Sequence, residues 1–130
     1  MKDKTKYWLD MCDEDLITAK VMLDAKQLLW AGFICHLIVE KALKAIITES
    51  TDIVPPKIHV LRKLAELGGA LDKLNAEQVL LLQKLMPLHV EARYPEHKEK
   101  ILATLTVEYI NKIYTETEAF VCWIKQQLEK

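Results

Sequence analysis

"LLWAGFICHLIV", residues 28–39, is apolar nearly all round, and its reading decides the fold. A helix on the surface of a domain carries one apolar stripe and one polar face. A helix that is apolar on every side has to be covered by neighbours. With the segment that follows it, this stretch reads as a central helix over about Leu29–Ser50. Its polar groups, His36, Glu40 and Lys44, stand four apart and stack along one face. "ESTDIVPPK" ends it, because Pro55 and Pro56 cannot continue a helix and Val54 is pushed to an extended conformation.

The neighbours that cover this helix lie on both sides of it. Upstream, Trp8, Met11, Cys12, Leu16, Ala19 and Leu23 form one apolar stripe of a helix over about Lys4–Lys26. Downstream, a short helix over about His59–Leu67 ends at Gly68-Gly69, a left-handed stop signal. A fourth helix starts after Asn75, with Gln78 completing a capping box, and carries Val79, Leu82, Leu85, Met86, His89 and Val90. Pro87 is placed to kink it, and Pro95 requires it to end by Tyr94. The fifth, over about Leu102–Glu129, has Leu105, Tyr109, Ile113, Thr117, Phe120, Val121, Ile124 and Leu128 on its stripe. Glycines number only three and prolines four, and no stretch alternates with period two for long. The expectation is an all-α, up-and-down bundle of four long helices with one short crossover helix, a single domain over residues 1–130. Trp8, Trp30 and Trp123 should be at least half buried.

Charge narrows the classes of function. Eighteen basic and 19 acidic residues give a net charge of −1, so no global positive field attracts nucleic acid and any such binding must be local. Lysines outnumber arginines sixteen to two, in mixed-charge segments rather than basic tracts. No apolar run approaches a membrane span of roughly 20 residues. "MKDKTKYWLD" has no apolar run after its lysines, so no signal peptide is expected. Cys12, Cys35 and Cys122 are odd in number, far apart and among apolar residues; they read as buried free thiols of a reducing cytoplasm.

"LHVEARYPEH", residues 88–97, packs Arg93 between His89 and His97 and adds Tyr94. A histidine titrating near neutrality and a fixed guanidinium suit metal-free RNA cleavage, one as base and the other as stabiliser of phosphorane charge. The same residues equally suit a surface helix end, or an arginine that binds phosphate beside a tyrosine ring on which a base stacks. Pro95 turns the chain directly after this arginine, which separates Arg93 from His97 and favours binding over catalysis. Glu40 and Lys44 read either as a solvent-exposed pair or, with His36, as the lining of a polar pocket that faces Arg93. His59, His89 and His97 could converge as metal ligands, but no two have a tight ligand spacing; no glycine-rich phosphate loop is present, and neither metal nor cofactor is expected.

The segments "YWLDMCDEDLITAKVMLDAK", "WAGFICHLIVEKALKAI", "PPKIHVLRKLAEL" and "ARYP", in that order, resemble the HEPN domain family over nearly the whole chain. The resemblance implies a helical bundle linked with nucleotide or RNA binding, often a homodimer. It is often encoded beside a minimal nucleotidyltransferase as a toxin–antitoxin pair. It also implies an alternative: some members are metal-independent ribonucleases that carry an Arg, four to six residues, then a His. Here three residues separate Arg93 from His97, and Tyr94 follows the arginine where a polar residue is usual. Relatives often have a glutamine where this chain has His36, and another at Leu37. The expected binding residues are therefore Arg93, Tyr94, Glu40, Lys44 and His36, with Arg93 and His97 as the catalytic pair of the alternative. A scaffold without a ligand is the remaining class.

Overall fold

The computed structural model describes residues 1–93 and 102–129, with the side chains of 90–93 excepted. The described residues include the helices α1 (Asp3–Asp24), α2 (Leu28–Ser50), α3 (Leu61–Leu67), α4 (Ala76–Arg93) and α5 (Val107–Leu128). A single 3-10 turn, Leu71–Lys73, lies between α3 and α4, and no strand occurs among the described residues. The chain is the all-α bundle that its periodicity implies.

The central role of α2 follows from its composition. It packs against α1, α3, α4 and α5, most extensively against α1. Of its 23 residues 15 are buried, which no surface helix could sustain. Ile38, Leu43 and Ile47 are completely buried, each worth about 1.5–3 kcal/mol relative to exposure. Most of the helix's apolar surface is buried within the chain; Leu28, Phe33, Ile34 and Leu37 are partly buried and Trp30 is 47% exposed. Trp8 and Trp123 are more deeply placed against the core, so all three tryptophans are at least half buried.

Local signals set the boundaries. Lys26 takes a left-handed φ of 60° in the tight link from α1 to α2. Gly69, at φ 71°, supplies the left-handed turn after α3, while the amides of Gly68 and Ala70 close back onto Leu64 and Ala65. Asn75 and Gln78 cap each other reciprocally: the Gln78 amide donates to Asn75 Oδ1 at 2.8 Å and the Asn75 amide to Gln78 Oε1 at 2.9 Å. Pro87 lies inside α4, which continues to Arg93. The fifth helix starts later than its stripe suggests. Thr106 is extended and its Oγ1 accepts the Tyr109 amide at 3.0 Å, so the helix begins at Val107 and not near Leu102.

Gly32 decides how closely α2 and α4 meet. A Cβ there would stand 2.9 Å from Leu88 Cδ1, inside contact distance. Leu88 is buried at this crossing, and His89 follows it directly. One expectation about cysteine needs correction. Cys12 and Cys35 are buried free thiols, but Cys122 lies on the outer side of α5 and is exposed. Burial pushes both inner thiols up to about 12, with Asp15 adding to the effect at Cys12, so neither is a nucleophile near neutral pH. No helix among the described residues is long and apolar enough to cross a membrane.

Candidate functional site

The polar face of α2 is not solvated. His36 is 0%, Glu40 6% and Lys44 7% exposed, because the helix that carries them is covered on every side. This overturns the reading of Glu40 and Lys44 as a surface pair. A charge so placed must find partners, and Glu40 has them on both oxygens. Lys44 Nζ donates to Oε2 at 3.1 Å, and His59 Nδ1 lies 2.8 Å from Oε1. Lys44 Nζ also stands 5.8 Å from the centre of the Trp8 ring.

Three histidines converge around this carboxylate. His36 Nε2 is 3.1 Å from the backbone carbonyl of His59. A carbonyl only accepts, so Nε2 carries the proton and Nδ1 of the neutral ring holds a lone pair. That Nδ1 lies 3.7 Å from Glu40 Oε1 and has no hydrogen-bond partner among the described residues. The His36 pKa is lowered to about 4, chiefly by burial and then by His89, with Glu40 opposing. His36 is therefore neutral at physiological pH.

His89 closes the cluster from α4. Its ring centroid is 4.4 Å from that of His36, 4.6 Å from that of His59 and 5.4 Å from that of Phe33. His89 is itself buried, at 6% exposed, and not a partly exposed histidine as its position near the end of α4 suggests. His59, on the loop before α3, has a side chain 46% exposed and is the member open to solvent. The absence of a tight histidine spacing in the sequence had argued against a metal set. The fold nonetheless brings donor atoms of His36, Glu40 and His89 within 4.8 Å of one another.

Arg93 is the last residue of α4, four residues and about one turn after His89. Its side chain, and all of Tyr94 and His97, lie outside the described residues, so the expected pairing of Glu40 with Arg93 does too. The described partners of Glu40 are instead His59, Lys44 and, at longer range, His36. The sequence offered His59 and His89 only as histidines that could converge with His97, not as neighbours of Glu40 and His36. The signal that could have found them is the conflict between an all-round apolar helix and three polar groups on it. Such groups, once buried, require polar partners from other elements. A cleft of about 510 Å³ at the start of α1 and the end of α2 is lined by Lys2, Tyr7, Trp8, Thr51 and Ile53, and shares the Trp8 ring with Lys44.

The described helices form an all-helical bundle around α2. The family model described as "HEPN domain" matches residues 5–127, and the chain belongs to the HEPN domain family. Membership supports a nucleotide- or RNA-related module. No curated protein and no solved structure matches the chain.

Proposed function

We propose that this HEPN domain is a nucleotide- or RNA-binding interaction module. In this reading it acts as a homodimer and as one half of a pair with a minimal nucleotidyltransferase, of the toxin–antitoxin kind. The observation that carries the reading is the buried Glu40 cluster. It ties α2, the loop at His59 and α4 together one turn before Arg93. A rigid support under the end of a helix is what a phosphate-binding arginine needs, since a guanidinium recognises phosphate through fixed, forked geometry. Arg93 is the binding residue, and Tyr94 offers a ring for stacking. The dimer contact falls at α2, where Trp30 is exposed, or at the Arg93 end.

The test is titration of the purified chain with nucleoside triphosphates and with short RNA, followed by fluorescence anisotropy. Arg93→Ala should weaken binding by at least about tenfold, the loss of one charge-assisted contact. His97→Ala should leave it within about twofold. Wild-type protein that binds neither ligand sinks the reading. Incubation with RNA in chelator addresses the alternative: cleavage lost in both Arg93→Ala and His97→Ala makes the chain a metal-independent ribonuclease.

A further inference from the structure

We propose that His36, Glu40 and His89 form a binding site for a divalent transition-metal ion of the zinc class. Two imidazoles and a carboxylate are a donor set that zinc accepts from three protein ligands, leaving a fourth position for water or another group. Donor atoms of the three residues lie within 4.8 Å of one another, and all three residues are buried. His36 and Glu40 stand one turn apart on α2, the most constrained helix of the bundle. Gly32 lets α4 approach α2 at Leu88 and so delivers the adjacent His89.

The independent observation is the orphaned ring nitrogen. His36 is anchored through Nε2 on the His59 carbonyl, which fixes both its tautomer and its orientation. The lone pair on Nδ1 is thereby aimed into the cluster, 3.7 Å from Glu40 Oε1, with no hydrogen-bond partner among the described residues. Two electron-rich atoms face each other in a buried place, and a cation between them removes the conflict. In a tetrahedral zinc site with bonds of roughly 2.0–2.1 Å, donors sit about 3.3 Å apart. The His36–Glu40 separation is already close to that, and the donor atoms of all three residues lie within 4.8 Å of one another.

The surroundings complete the arrangement. A backbone carbonyl on the far nitrogen of a ligating histidine is a common outer partner, and the His59 carbonyl has that place. Lys44 holds Oε2 of Glu40, which leaves Oε1 on the side of His36. His59 shares Oε1 and is partly open to solvent, so it covers the entry path. The ammonium of Lys44 partly neutralises Glu40, so the site is weaker than a closed four-ligand structural zinc site.

This inference goes beyond the nucleotide reading and stands apart from it, because metal binding is measured with no nucleotide present. The full chain is stripped with chelator, desalted and titrated with cobalt(II) and zinc(II), by visible absorption and by calorimetry. One ion per chain is expected, with His36→Gln and His89→Gln each weakening binding by at least about tenfold. Far-UV spectra establish that both variants are folded. X-ray absorption of the zinc-loaded wild type should show two imidazoles and no sulfur, a readout that does not depend on any variant. No saturable binding by the wild type overturns the proposal. So does a sulfur ligand, or binding that is unchanged in folded His36→Gln and His89→Gln.

Discussion

Replacing Glu40 by leucine tests whether the central cluster is a buried network. Lys44 is 7% exposed, so the substitution leaves an ammonium in the interior that has lost its carboxylate partner and keeps the Trp8 ring. Breaking a buried pair in this one-sided way costs about 3–5 kcal/mol, mostly the desolvation of the charge left behind. For a chain of 130 residues, ~4 kcal/mol corresponds to a fall in Tm of about 15 °C. Glutamine at the same place keeps the shape and can accept from one donor, which recovers about 1 kcal/mol. Removing both charges, as Glu40→Leu with Lys44→Met, should return the protein to within about 1.5 kcal/mol of wild type, because no buried charge then lacks a partner. The assay is urea unfolding at pH 7 for the wild type, both single variants and the double variant. The slope m should stay constant, so that midpoints report stability. The cycle should give a coupling energy of at least about 2 kcal/mol. A Glu40→Leu cost under about 1 kcal/mol, or additive single effects, would show that water reaches the pair and refute the reasoning.

Three further outcomes are expected. Gly32→Ala gains about 1 kcal/mol of helix propensity but drives a methyl group to 2.9 Å from the buried Leu88, so a net loss of about 1 kcal/mol should appear in chemical unfolding; a raised Tm would contradict the close α2–α4 approach. His36 has a folded pKa of about 4 against 6.5 for the free side chain, so the unfolded chain takes up the extra proton; stability is full above about pH 6.5, falls as pH drops toward 4 by up to about 3 kcal/mol, and should fall less in His36→Gln, with equal slopes for the two proteins as the refuting result. Cys122 should react quickly with a thiol reagent in the native state while Cys12 and Cys35 react only on unfolding; two or three fast thiols per chain would exclude the observed packing.

The fold was legible because its signals are local or periodic. The all-round apolar character of residues 28–39 identified the central helix, and Asn75-Gln78 and Gly68-Gly69 marked boundaries that the structure keeps. What escaped was a competition between similar signals. The stripe of α5 continues back to Leu105, but the Thr106 side chain caps the helix one residue later, and a cap outweighs periodicity over a few residues. Cys122 has the apolar neighbour Val121, yet it falls on the outer side of α5, where neighbours in sequence say nothing about burial.

The site was half legible, for a different reason. Spacing within one helix put His36, Glu40 and Lys44 on a common face, but their partners come from elsewhere in the chain. His59 is 19 residues from Glu40 along the sequence, and its hydrogen bond depends on how the loop after Pro55-Pro56 returns to α2. His89 reaches the same place because a glycine at 32 lets two helices close on each other. No helical period encodes either event. The physical constraint that links them is satisfaction of buried charge: an apolar helix carrying a glutamate and a lysine folds stably only if other elements bring donors and acceptors to it. That requirement makes the cluster costly, since an apolar replacement of the whole set would pack without it. The cluster joins α2, the His59 loop and α4 through Glu40 and the ring of His89.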